Sequence, residues 1–437
     1  MSMESGRILI DCSGIIPATH VTGIPRTVLS YLRELARMAE EDASLRIPVA
    51  VHFDRQNQLV RSALWPAHET DAMFWRYRLP LQLARPILYP VAPIARAADL
   101  GLRVFDAPGK RKFTWPLRSP ASGRKLLAEG LGKRALNHIP VKPRSGDLIL
   151  LPAHWYDVSP AIYFSLQNDG ARIVLFIHDI LPVTTPHYYD SPWRDRFAAR
   201  LARMLRHADA LVTVSAFTMA EVERFAGERQ LVLPEHRLVV HHGSDFVAPT
   251  DDERPPTVRP YFLMVGSVEP KKNHRFAIEQ CDYFWQRGYE FDLVIVGKPG
   301  WKHDRISEFI RSHADFGDRL QWKENVSDED LDALYRSAAA TLFVTRAEGF
   351  GLPLIESTIR GTRCIASNIP VLREIADGSD LVVHVELDDD GDSLRQAILD
   401  ALAFPPPDDA EPPAIARRSW SEAAAELSRF LEAIPSA

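Results

Sequence analysis

Residues 340–356 read ATLFVTRAEGFGLPLIE, an apolar run that ends in a Gly-Phe-Gly turn and continues as a helical pattern. Glu348 precedes the turn and Glu356 follows it. A strand that ends in a glycine-bearing turn and opens into a helix leaves backbone N–H groups uncommitted at the helix N-terminus, and those groups suit a phosphate. A carboxylate at Glu356, about two turns on, can accept both hydroxyls of a ribose, and one at Glu348 can meet a sugar ring beside the phosphates. The ordinary alternative is a helix whose first turn carries acids because the macrodipole favours them. The rest of the chain decides between the two.

Working outward, this strand is one of a series. RILIDCSG (7–14), IPVAVHF (47–53), DLILLPA (147–153), RIVLFIHD (172–179), ALVTVS (210–215) and LVVHHG (238–243) are short, rich in Val, Ile and Leu, and mostly separated by helical stretches. Continuous apolarity alternating with helices marks buried parallel strands in βαβ units. Residues 247–260, VAPTDDERPPTVRP, have the proline and charge of a linker. The pattern then restarts with YFLMVGS, DLVIVGK, LQWKENV, ATLFVT, RCIASN and LVVHVE. Two doubly wound α/β domains, 1–246 and 261–412, are expected to face a cleft at their C-terminal strand ends. In the tail, 413–437, Ser419 and Glu422 make a capping-box pattern before an apolar helical face. That helix either packs on its own domain or crosses back to the first; the crossover is the reading adopted.

With 437 residues, 46% of them apolar, the chain can bury two or three cores. No run approaches the ~18 apolar residues of a membrane span. The opening residues lack a secretory pattern, so a cytoplasmic protein is expected. Cys12, Cys281 and Cys364 are far apart in apolar stretches, which suits buried reduced thiols. The net charge of −6 hides an asymmetry: residues 76–144 hold 15 Lys or Arg and three Asp or Glu (+12), and the remainder carries −18. The segment 55–145 breaks the alternation and reads as a basic insertion, either an amphipathic element on an anionic membrane or a lid over the cleft. No RNA-binding signature accompanies it, so nucleic acid is not an expected partner.

Further chemistry-bearing residues sit at strand ends. VGSVEPKKN (265–273) places Lys271 and Lys272 after a strand, where two ammonium groups suit a diphosphate. VGKPGW (296–301) adds Lys298 after the next strand. TGIPR (22–26) follows strand one, with Gly23 permitting close backbone approach and Pro25 starting a helix. FIHDILP ends a strand with His178 and Asp179, where the histidine can bond a sugar hydroxyl or a phosphate while Asp179 orients it or the loop. Each has an ordinary alternative: solvated lysines, a helix start, a structural His-Asp pair. His154, His241 and His242 read as structural, and no metal site is evident.

Taken together, these motifs resemble the retaining glycosyltransferases of family 4, with the GT-B fold of two Rossmann-like domains. VGSVEPKKN, VGKPGW, ALYRSAAATLFVTRAEGFGLPLIES (333–357) and ASNIPVLREIA come in that family's order, as do the looser TGIPR, HDILP, VSAFT and VVHHGSD. The resemblance implies Glu348 on the donor sugar and Glu356 on the ribose. Gly349, Phe350, Gly351 and Leu352 would form the turn at the sugar and phosphates. Lys271 and Lys272, aided by Lys298, would hold the diphosphate. Gly23 would lie near the phosphates or the acceptor and Gly266 near the phosphates, with His178 and Asp179 at the reacting sugar. Ser267 stands where some members carry Arg, and His242 where many carry Asn. The implied reaction moves a hexosyl unit from a nucleotide diphosphate sugar, GDP-mannose as first choice, to a glycan or lipid-linked acceptor in surface polysaccharide assembly. No metal or cofactor is expected. An epimerase of the same fold and a non-catalytic sugar- or membrane-binding protein are the alternatives.

Overall fold

The computed structural model describes residues 6–13, 23–53, 58–61, 140–153, 155–244, 259–406 and 410–435. Most of the basic segment 55–145, the linker up to residue 258, and His154 lie outside the described residues.

Each apolar run of the sequence becomes a strand because its side chains are buried on both faces of a sheet. The first sheet runs β3-β2-β1-β4-β5-β6-β7, with β1 Arg7–Asp11, β2 Ile47–Phe53, β4 Leu148–Leu151, β5 Arg172–Ile177, β6 Ala210–Thr213 and β7 His236–Val239. Its pairings are parallel except for β3, Leu59–Arg61, which runs antiparallel on the edge of β2. That three-residue strand was not foreseen, being too short to show a pattern.

The second sheet runs β10-β9-β8-β11-β12-β13, all parallel, with β8 Tyr261–Val265, β9 Asp292–Val296, β10 Leu320–Lys323, β11 Ala340–Phe343, β12 Cys364–Ser367 and β13 Val382–Val385. This is the Rossmann order, and the chain reverses its direction of travel between β8 and β11. Ligands of such sheets bind outside the carboxyl ends of the strands at that reversal.

The C-terminal helix Trp420–Ala433 crosses back to the first domain. Its capping box forms as read, and it buries Trp420, Ala423, Ala424, Leu427 and Leu431. Trp420 meets Tyr31 of the first helix, Ile24–Glu41, edge to face at 5.5 Å, and Arg46 bonds the Leu431 carbonyl. A Cβ on Gly243 would come within 2.3 Å of the Trp420 nitrogen, so the backbones touch where the tail crosses. Burial pushes the thiols of Cys12, Cys281 and Cys364 up, and none is in a disulfide.

Candidate active site

The carboxyl ends of β8 and β11 converge on a charged cluster. After β8 the chain passes through Gly266 at φ 137°, a conformation glycine tolerates, into the single turn Pro270–Lys272. Lys272 Nζ lies 2.5 Å from Glu348 Oε1 and 5.2 Å from the centre of the Phe343 ring. The same Glu348 oxygen accepts the Thr345 hydroxyl at 3.0 Å. Lys271 Nζ is 3.2 Å from Glu269 Oε2, whose other oxygen accepts Ser267 Oγ at 2.6 Å.

The electrostatics of this cluster follow from burial opposed by charge. For Lys271, burial works against the cation, but Tyr189, Glu269, Glu348 and Asp179 outweigh it and hold the pKa above the usual lysine value. Asp179 goes the other way: burial raises it above the usual carboxylate range, although Lys271 and the Leu181 N–H pull back. Glu269 is pushed up by burial and pulled further down by Lys271 and Ser267, ending below its usual value. Lys271 is thus kept cationic in a partly desolvated cleft, where charge acts strongly.

The Gly-Phe-Gly turn is clamped between the domains. A Cβ on Gly349 would lie 2.1 Å from the His178 carbonyl oxygen and 2.8 Å from Asp179 Cβ, so only glycine fits. The Gly349 carbonyl accepts the Ser215 hydroxyl at 2.8 Å and the Thr218 hydroxyl at 3.2 Å. Phe350 is buried against His242, ring centres 4.8 Å apart, and Gly351 at φ 129° begins the helix Leu352–Thr358. That helix is seven residues long and Glu356 is its fifth, so the glutamate lies little more than one turn in, not two. Glu356 Oε1 pairs with Arg26 of the first domain at 3.1 Å and Oε2 accepts the Tyr335 hydroxyl at 2.9 Å.

His178 and Asp179 do separate jobs. His178 Nε2 donates to the Pro152 carbonyl at 2.7 Å, which sets the ring, while Asp179 Oδ1 accepts the Leu181 N–H at 3.0 Å and sets the loop. Gly23, at φ 59°, is the N-cap of Ile24–Glu41 and has open space where a Cβ would be. Lys298 is exposed; its carbonyl accepts the Val268 N–H at 2.8 Å, and among the described residues it enters no ion pair of the cluster. Asp282, His313 and Asp315 could hold a cation, but His313 already bonds Asp282 at 3.1 Å and the Asp315 N–H at 3.2 Å.

Sequence reasoning passed over several residues of this junction. Arg26 sits in TGIPR three places after Gly23, and Ser215 and Thr218 in VSAFT, so motif membership was the available signal. Glu374, in PVLREIA, accepts the N–H groups of Ala216 and Phe217 at 2.7 and 2.9 Å and pairs with His241 at 2.9 Å. It caps a helix of the opposite domain. Tyr335 likewise sits in the 333–357 motif, whereas nothing in the sequence pointed to Tyr189.

Two Rossmann-like domains with a charged site at the second sheet's reversal point define a GT-B fold. Residues 250–425 match the family Glycosyl transferases group 1. Among curated relatives it is similar to the serotype-specific mannosyltransferase WbdA of Escherichia coli, 34% identical over 240 residues, 52% of this chain and 29% of that one. It is also similar to the O-antigen chain mannosyltransferase B of Escherichia coli, 27% identical over 55% of this chain and 63% of that one. The chain therefore spans less than a third of the first relative's length and under two thirds of the second's. Among solved structures, sucrose-phosphate synthase from Thermosynechococcus elongatus superposes with a TM-score of 0.58 at 17% identity, covering 98% of this chain and 94% of that one, which shows the shared fold.

Proposed function

We propose that this chain is a retaining hexosyltransferase that takes mannose from GDP-mannose and delivers it to a saccharide acceptor in surface polysaccharide assembly. The observation that carries the reading is the Lys271–Lys272 pair at the end of β8, set against Glu348 at the end of β11. A diphosphate entering there replaces Glu269 and Glu348 as the lysines' counter-charge. Glu348, released from Lys272, turns to hydroxyls of the donor sugar, and Glu356 to the ribose. The negative charge that grows on the departing diphosphate is met by ammonium groups already in place. His178, its Nε2 committed to Pro152, keeps its ring beside the reacting sugar. Closure of the cleft holds donor and acceptor together and keeps water out.

In this reading the lysines supply the cationic charge, so neither a metal nor a cofactor is needed. The two mannosyltransferase relatives support the choice of mannose. A lipid-linked acceptor would bring the chain to the inner face of the cytoplasmic membrane, and the +12 charge of residues 76–144 supports peripheral contact with anionic lipid. Among the described residues no helix is long and apolar enough to cross a membrane.

The test is a thermal-shift and calorimetric screen of the full chain against GDP, UDP, dTDP and their sugars, since a ligand of the native state raises its melting temperature. GDP and GDP-mannose are expected to bind, and GDP release from GDP-mannose to require acceptor. Absence of any nucleoside diphosphate binding rejects the proposal, and acceptor-independent conversion of the sugar points to an epimerase.

A further inference from the structure

Beside the charged cluster, aromatic side chains line up across the domain boundary. Tyr189 is hydrogen-bonded to Lys271 and stacks on Trp193, ring centres 5.5 Å apart and planes 21° apart. Trp193 belongs to the helix Ser191–His207, rests on Phe197 one turn later at 5.6 Å, and meets Tyr156 edge-on at 5.8 Å. From the other domain Trp301, the last residue of VGKPGW, approaches Trp193 to 5.7 Å and yet remains 41% exposed. Its loop is anchored at both sides. Lys302, in a left-handed conformation at φ 52°, places its ammonium 3.0 Å from Asp190 across the boundary. A Cβ on Gly300 would come within 2.5 Å of the Glu269 side chain, so the loop rests on the partner of Lys271.

We infer that Trp193 and Trp301 form the acceptor subsite, on which a pyranose ring of a saccharide stacks. An indole left partly in water and rimmed by Asp190 and Lys302 offers an apolar face with polar edges. A pyranose presents the complement, C–H groups on its faces and hydroxyls around its rim. Position strengthens the match. Tyr189 has its hydroxyl on Lys271 and its ring on Trp193, so a sugar on the indoles lies next to the charged cluster instead of on a remote surface. One indole comes from each domain, which makes the subsite complete only when the cleft is closed. Acceptor and donor are then held together where water is excluded.

This inference rests on the glycosyl-transfer reading, and the experiment separates the two. The full chain and its Trp301→Ala, Trp193→Ala and Trp301→Phe variants are titrated with GDP by calorimetry and with α-mannotriose by saturation-transfer NMR in the presence of GDP. The wild type is expected to bind the trisaccharide, the two alanine variants about tenfold more weakly, and Trp301→Phe within about threefold of wild type, with GDP affinity changed less than about twofold throughout. Equal trisaccharide binding by wild type and Trp301→Ala overturns the subsite. So does a wild type that binds GDP but no trisaccharide, or a parallel loss of GDP and trisaccharide in the variants, which would mean that the indoles only hold the fold. A wild type that binds no nucleoside diphosphate removes the transfer reading, and the subsite with it.

Discussion

Arg26 and Glu356 are 330 residues apart in the chain and 3.1 Å apart in space. The carboxylate proposed to receive the ribose is thus held by a guanidinium from the opposite domain, with Tyr335 on its other oxygen. A ribose that uses both oxygens must displace Arg26 from one of them. The ion pair is partly exposed, and pairs of that kind are worth about 0.2–1 kcal/mol. Arg26→Ala is therefore expected to tighten GDP binding by about two- to fivefold by calorimetry. Weaker binding would show that Arg26 contributes to the site instead of competing for it.

Removal of the other partner has the opposite effect. Glu356→Ala takes away the ribose acceptor and leaves Arg26 and the buried Tyr335 hydroxyl without it. Hydrogen bonds to charged groups contribute about 1.5–3 kcal/mol. GDP affinity should drop by about tenfold or more while far-UV circular dichroism stays that of the wild type. Unchanged affinity would remove Glu356 from the nucleotide site.

Lys272 separates charge from packing. Lys272→Met keeps the apolar stem over Phe343 and deletes the cation, so the diphosphate loses a counter-charge and Glu348 loses its partner. The expected result is GDP binding weaker by about tenfold to a hundredfold, with a smaller salt dependence than in the wild type. A variant with wild-type affinity and salt dependence contradicts the role given to the lysine.

Two buried histidines make stability depend on pH. Burial, reinforced by Lys272, pulls His274 down to about 4, and burial with His178 and His241 nearby pulls His242 well below its usual value. Both rings are neutral in the fold, whereas the unfolded chain protonates them below about 6.5. The unfolded state therefore binds more protons in that window, and stability falls as pH drops from about 6.5 toward 4. His274 alone accounts for up to about 3 kcal/mol of this loss. Urea denaturation across the window should show a shallower loss for His274→Gln than for the wild type. An equally steep loss in both would assign the acid sensitivity to other groups.

Glu374 ties the second domain to the first by capping the helix Ala216–Glu228 and pairing with His241. Glu374→Ala uncovers two helix N–H groups and should cost about 1–2 kcal/mol, measured by urea denaturation. Glu374→Gln, which still accepts hydrogen bonds, should recover about half. Identical stability of all three chains would mean that the junction is held elsewhere.

What could be read in the sequence alone was whatever depends on near neighbours. Runs such as RIVLFI and DLVIVG are strands because their side chains must be buried on both faces, and their alternation with helices yields two parallel sheets. Lys272 and Glu348 stood out because each lies in the loop that follows a strand, and the order β9-β8-β11 sets those strand ends side by side. The capping box at Ser419 and Glu422 is a contact over three residues and was equally legible. Tertiary structure decided the rest. Which carboxylate Arg26 meets, which carbonyl Ser215 and Thr218 hold, and which indole faces Trp193 all depend on how one domain sits on the other. That placement arises from packing surfaces hundreds of residues apart, whose complementarity leaves no period or spacing in the chain.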